Sequence, residues 1–250
     1  MIRGLITFIV LLGAWQGFVT LSGIPPFLLP APDRVAVALV ARADTIAFHA
    51  LITGTEILAG LALGGLLGAG MALLLVASRP ARRWLLPLLL VSQAIPVFAI
   101  APLLTLWFGF GLASKVAMAT LIIFFPVATA FQDGLRRTDP ALLDLGRSMG
   151  ATPGAMLWRL RVPAALPALA SGLRVAAGVA PIGAIVGEWV GASAGLGYLM
   201  LHANGRSQAD VMFAALFVLA LMALTLWFTL DAVLRRAIPW QTETYPMEER

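Results

Sequence analysis

Long apolar runs alternate with short basic breaks along this chain, and that alternation predicts its elements. Apolar runs near the length that crosses a bilayer's hydrocarbon layer predict membrane helices. They fall at about 4–21, 49–76, 85–109, 116–131, 164–190 and 211–234. Arg79, Arg82 and Arg83 follow the second run, Arg136 and Arg137 close the fourth, and Arg235 and Arg236 close the sixth. Pro87, Pro96 and Pro102 remove backbone donors from the third run, so that helix is expected to kink or break where it faces protein or a cavity. In the second run Gly60, Gly64 and Gly68 recur every four residues, a spacing that lets helices approach closely. Residues 22–48 carry Pro25, Pro26, Pro30 and Pro32 and are expected outside the membrane, with Asp33 capping a short amphipathic surface helix. Arg3 and the first run look like a signal peptide, but no small-residue cleavage site follows, so a retained span is expected.

The stretch 138–167 breaks the pattern. Asp139-Pro140 is a helix start, since Asp can accept from free amides and Pro suits the first turn. Leu142, Leu143, Leu145, Met149, Met156, Leu157 and Leu160 form a broken apolar stripe among Asp144, Arg147, Ser148, Arg159 and Arg161. Residues 150–154, Gly-Ala-Thr-Pro-Gly, interrupt it. The reading is a helix, a sharp turn and a short helix over 138–162, with Pro163 opening the fifth span. Such an amphipathic hairpin suits docking onto another protein, or lying on lipid headgroups.

Composition then fixes the class. Apolar residues make up 60% of the 250 and charged residues only 12%, too few for the surface of a soluble domain of this length. An all-α, multi-pass membrane protein follows. The net charge of +5 does not point to nucleic acid. Of the 17 basic residues, Arg34, Arg42, Lys115 and Arg206 fall in segments read as external. The rest lie in or beside segments read as cytoplasmic, as are both termini and the polar tail 237–250. Cysteine is absent, which excludes disulfides and thiolate metal sites. His49 and His202 form no ligand cluster. No phosphate-cradling Gly-rich loop ending in Lys-Ser/Thr occurs, so any ATP-driven work needs a separate ATPase.

Glu56, Glu188 and Asp231 lie in or at the edge of spans, where an ionised carboxylate must face protein, water or a cation. Asp231 stands one helical turn from Arg235 and reads as structural. Glu188, beside Trp189 and before a glycine-rich turn, reads either as a gate residue or as an acid held by helix-end amides. Gln93, Pro96 and Trp107 read as lining a path through the membrane, since a broken helix offers backbone polar groups to water and Gln offers donor and acceptor. The same three could equally serve as an interhelical bond, a kink and an interfacial anchor.

Asp144-Leu145-Gly146, then Gly150, then Leu160-Arg161-Val162-Pro163 resemble the loop by which permease subunits of bacterial ABC importers engage their ATPases. Asp stands for the usual Glu, and Leu145 for a small residue. Gln93-Ala94-Ile95-Pro96, Pro102-Leu103-Leu104, 107–111 (Trp-Phe-Gly-Phe-Gly), Gly187-Glu188-Trp189 and 195–198 (Gly-Leu-Gly-Tyr) are similar to the nitrate/sulfonate/taurine-type group of these permeases, closest to those for thiamine-precursor pyrimidines. The resemblance implies a six-span type I ABC importer permease fold, with a cytoplasmic coupling helix between spans 4 and 5. Asp144, Leu145, Gly146, Ser148, Met149, Gly150, Ala151, Leu160 and Pro163 would couple to the ATPase; Gln93, Pro96, Trp107, Glu188 and Trp189 would line or gate the path. It implies no cofactor on this chain, with ATP and Mg on a partner ATPase dimer. It further implies a second permease copy, a periplasmic or lipid-tethered binding protein, and a bacterial inner-membrane location. The cargo would be a small heterocycle such as a thiamine-precursor pyrimidine, or taurine, an alkanesulfonate or nitrate. A rival of another class is a secondary transporter driven by an ion gradient, using Glu56 and Glu188 as relays and needing no structured hairpin.

Overall fold

A computed structural model describes residues 2–92 and 95–241, and over them the chain is helical. In order come α1 (Ile2–Ser22), α2 (Pro32–Ala41), α3 (Ala43–Ala77), α4 (Arg79–Ser92), α5 (Val97–Phe108), α6 (Leu112–Arg136) and α7 (Pro140–Ser148). A short α8 (Pro153–Met156) runs through a π-helical turn, Leu157–Arg161, into α9 (Val162–Gly191). Then follow α10 (Leu196–Gly205) and α11 (Ala209–Ala237). Among the described residues, four helices are long and apolar enough to cross a membrane: α3, α6, the continuous Pro153–Gly191 helix and α11. The run expected as a third span is divided, ending as α4 at Ser92 and resuming as α5 at Val97.

α6 lies against both α3 and α9 at the centre of the molecule. Small residues make this possible. A Cβ at Gly60 would overlap that of Ala119, one at Gly64 would sit 2.7 Å from Ile123 Cγ2, and one at Gly68 would sit 2.8 Å from the Phe124 carbonyl. Gly134, Gly172 and Gly183 make equally close approaches between α6 and α9. Ile57, Ala119, Ile123, Val127, Ala176, Ala180 and Ala184 fill the seam. Without a hydrophobic drive between helices in lipid, such backbone approach and dispersion hold a bundle together. At the other side Asp231 of α11 accepts from Arg174 Nε of α9 at 2.7 Å and from Arg235 Nε at 2.8 Å, so the acid expected to pair locally also ties two helices.

Three expectations need correction. Asp33 does not cap α2: Ala31 stands at that position with no side-chain bond, Pro32 opens the helix, and Asp33 faces the amide end from within the first turn. The second long helix starts at Ala43, well before 49. Pro163 does not start a new helix, because the chain is already helical from Pro153; Pro163 lacks an N–H, and the wider π turn just before it absorbs the interruption.

Candidate functional site

Two places concentrate polar chemistry, and they lie at opposite ends of the long helices. The first is the corner between α9 and α10. Glu188, in the last turn of α9, is 1% exposed and turned inward. Its Oε1 accepts from Thr53 Oγ1 of α3 at 2.6 Å, and its Oε2 accepts from the Gly197 amide. The Thr53 hydroxyl in turn accepts from the Leu196 amide at 2.8 Å, and His49 Nδ1 accepts from the Gly195 amide at 2.9 Å. A hydroxyl has one proton; the 2.6 Å contact to a carboxylate claims it over the His49 carbonyl at 3.2 Å. Three successive amides at the start of α10 are thereby satisfied by α3 and α9, where an anion is favoured by the helix dipole.

Gly195 allows this. Its φ is +116°, and a Cβ there would overlap the Glu188 carboxylate, so only glycine lets the turn close on the acid. The other side of the corner is held by Lys115, which is 2% exposed in the first turn of α6. Its Nζ donates to the carbonyls of Phe110 at 2.6 Å and Gly191 at 2.5 Å. Gly191 ends α9, so the ammonium sits at the negative end of one helix while Glu188 sits at the positive end of the next. Glu56, 2% exposed on α3, lies against Glu188 and within the electrostatic reach of Lys115, and its Oε2 has no hydrogen-bond partner. Two acids and one base thus share one buried pocket of protein.

By sequence Lys115 falls in an external segment and Glu56 is an acid facing protein, water or a cation, or a relay in the secondary-transporter alternative; the two are not joined to Glu188 in one site. The signal was present, because Glu56, Lys115 and Glu188 are charged residues near the same end of three predicted spans. Of the residues expected to line a path, Gln93 falls outside the described residues. Pro96 caps the start of α5 and is exposed. Trp107 and Trp189 are 67% and 50% exposed near the ends of α5 and α9, which meet where Gly191 abuts Thr105. Glu188 is therefore turned into the protein, while Trp189, the next residue and about 100° round the same helix, is half exposed.

The second place is the hairpin. Asp139 caps α7 by accepting from the Ala141 amide at 2.8 Å. The helix ends in a paired-bond stop: Ala151 N–H to the Gly146 carbonyl at 2.9 Å, Gly150 N–H to the Arg147 carbonyl at 3.0 Å, and Gly150 at φ +74°. Thr152 then caps α8, accepting from the Ala155 amide at 3.2 Å. Gly146 is buried because Leu160 Cδ1 would lie 2.8 Å from a Cβ there, which closes α7 onto the π turn. Leu145 and Met149 are left exposed, as are Asp144, Ser148 and Gly150, while Ala151, Leu160 and Pro163 are half-buried at the base. Asp144 is ion-paired with Arg147.

A rigid, capped hairpin with protruding apolar side chains stands at one end of a small-residue helix bundle, and a family model for the inner membrane component of binding-protein-dependent transport systems matches residues 60–242. The chain belongs to that family. It is 54% identical over 229 residues to a probable ABC transporter permease protein of Haemophilus influenzae, covering 92% of this chain and 94% of the relative. It is 36% identical over 235 residues to the formylaminopyrimidine transport permease ThiX of Halalkalibacterium halodurans, covering 94% of each. The taurine transport permease TauC of Escherichia coli is 32% identical, covering 95% of this chain and 89% of the relative. Among solved structures, an inward-facing form of the MetNI methionine ABC transporter superposes with a TM-score of 0.69 at 21% identity, covering 79% of this chain and 98% of that one, which establishes the fold. This permease is therefore a multi-pass inner-membrane subunit of an ABC importer, and its relatives are named as transport permeases rather than enzymes. Membership of the family implies an ATPase and a substrate-binding protein as partners.

Proposed function

We propose that this permease forms the membrane path of an importer for a small heterocycle such as a thiamine-precursor pyrimidine, and that the hairpin 138–162 is the lever through which a partner ATPase drives it. The observation that carries the lever is the capped, glycine-stopped α7 with Leu145 and Met149 projecting from it. Rigid ends transmit force where a loop would not. α1 and the α4–α5 pair bring the four long helices to six crossings, with both termini and the hairpin in the cytoplasm. Two copies of the chain surround one path, lined by Gln93, Pro96, Trp107 and Trp189, while Glu188 keeps the α9–α10 corner shut as a unit. ATP and Mg bind the partner ATPases; their closure carries the hairpins, and the spans rock between inward- and outward-open arrangements.

The pyrimidine reading is supported by the 36% identity to a formylaminopyrimidine permease over nearly the full length. Taurine, alkanesulfonate or nitrate is the second reading, supported by the relative named for taurine. Asp144→Arg is expected to abolish stimulation of the partner ATPase while the permease still inserts in the membrane. Stimulation at the wild-type level in that variant would remove the lever, and uptake that ceases when the proton gradient is collapsed at constant ATP would favour a secondary transporter.

A further inference from the structure

At the hairpin end, a cavity of about 490 Å³ opens between the last turn of α3 and the α8–π-turn segment. Val76, Met156 and Leu157 form its apolar floor, and Arg79, Arg147 and Arg161 stand around it. Arg147 is already paired with Asp144. Among the described residues, Arg79 and Arg161 have no carboxylate within ion-pair distance, and Arg161 is half-buried. Arginines gathered around a cavity without a counter-charge of their own attract an anion, more strongly where the side chain is partly buried. Among the described residues that line the cavity the charged ones are Arg79, Arg147 and Arg161, and the acid nearest them, Asp144, is held by Arg147, so an anion for the other two comes from outside the chain.

We propose that this cavity holds the phosphate of an acidic phospholipid headgroup. The source follows from depth. The cavity is bounded by the final turn of one membrane helix and the first turns of another, which is the level of the headgroups. Trp84 and Trp158 are 74% and 60% exposed on the flanking α4 and π turn, as side chains at a membrane interface are. The apolar floor takes the glycerol and the start of the acyl chains, and the arginines take the phosphate bidentately. Because Arg147 and Arg161 belong to the hairpin and Arg79 to the start of α4, a bound headgroup braces the lever against the bundle. The inference concerns an inner-end lipid site and is independent of the transported substrate.

The test is a thermal-unfolding titration of the full-length chain in neutral detergent. Phosphatidylglycerol is expected to raise the midpoint saturably and phosphatidylcholine to leave it unchanged. Arg79→Gln, at an exposed position that folding does not need, should raise the half-saturating concentration about fivefold, and Arg161→Gln should do the same. Arg161→Lys, which keeps the charge but not the bidentate fork, should titrate between wild type and the Gln variant and guards against a folding defect in the latter, and Arg206→Gln at the other end should titrate as wild type. Identical titrations of wild type and Arg79→Gln would overturn the site. An equal response to inorganic phosphate would overturn the lipid as its source. Loss of the wild-type response once the partner ATPase is bound would assign the cavity to an acidic side chain of that partner.

Discussion

Thr53→Val removes one oxygen from the buried corner without changing side-chain shape. Thr53 is fully buried, and its hydroxyl both donates to Glu188 Oε1 at 2.6 Å and accepts from the Leu196 amide at 2.8 Å. Valine removes the side-chain donor from Glu188 Oε1 and strands the Leu196 N–H. In a water-soluble core, a bond to a charged group contributes about 1.5–3 kcal/mol and a stranded donor costs about 1–3 kcal/mol. Side-chain bonds between membrane helices are weaker, on average about 0.6 kcal/mol and at most about 1.7. Two contacts at the membrane scale give about 1–3 kcal/mol, enough to speed local opening roughly 5- to 150-fold. Hydrogen–deuterium exchange of the purified permease reads this at the amides of residues 195–198. Thr53→Val should accelerate exchange there by about 5- to 150-fold, while Thr53→Ser, which keeps the oxygen, should match wild type. Equal exchange in the two variants would refute the claim that this hydroxyl closes the corner.

Gly68→Leu should block assembly of α3 onto α6, because its Cβ alone would lie 2.8 Å from the Phe124 carbonyl, and backbone cannot move aside as a side chain can; membrane-inserted but unfolded or degraded protein is expected, whereas Gly70→Leu, with nothing within 4 Å of its Cβ, should accumulate normally by immunoblot. Arg174→Asp should weaken the α9–α11 tie and lower the unfolding midpoint, and the double exchange Arg174→Asp with Asp231→Arg should recover part of the loss, since the 2.7 Å contact is an ion pair between facing helices; no recovery would mean that the pair is incidental.

The hairpin was legible in the sequence because its rules are local. Asp139-Pro140 and the Gly-Ala-Thr-Pro-Gly interruption at 150–154 each act within a few residues, and the structure has the helix start at the first and the stop and turn at the second. The glycine stripe was legible for the same reason, a fixed spacing on one helix. The charged corner was not: Thr53 and Glu188 stand 135 positions apart, and periodicity carries no information about which span meets which. Lys115 read only as a surface charge because counting charges by segment treats every lysine as solvated, whereas this one is buried and donates to the carbonyls of Phe110, between α5 and α6, and of Gly191, at the end of α9. Drawing the spans as alternating up and down would have put Glu56, Lys115 and Glu188 at one level. The fused helix from Pro153 escaped because proline signals an interruption but does not say whether the chain bends or widens into a π turn.

The most direct test uses the absence of cysteine from this chain. Ser148→Cys places one thiol on the exposed end of α7, in a position whose backbone is helical and whose side chain packs against nothing but its own helix. A membrane-impermeant maleimide added to intact spheroplasts should leave that thiol unlabelled. After the membrane is opened it should label fully, and the bound ATPase subunit should slow the reaction. Labelling on intact spheroplasts would place the hairpin outside the cell and contradict the account of a cytoplasmic lever.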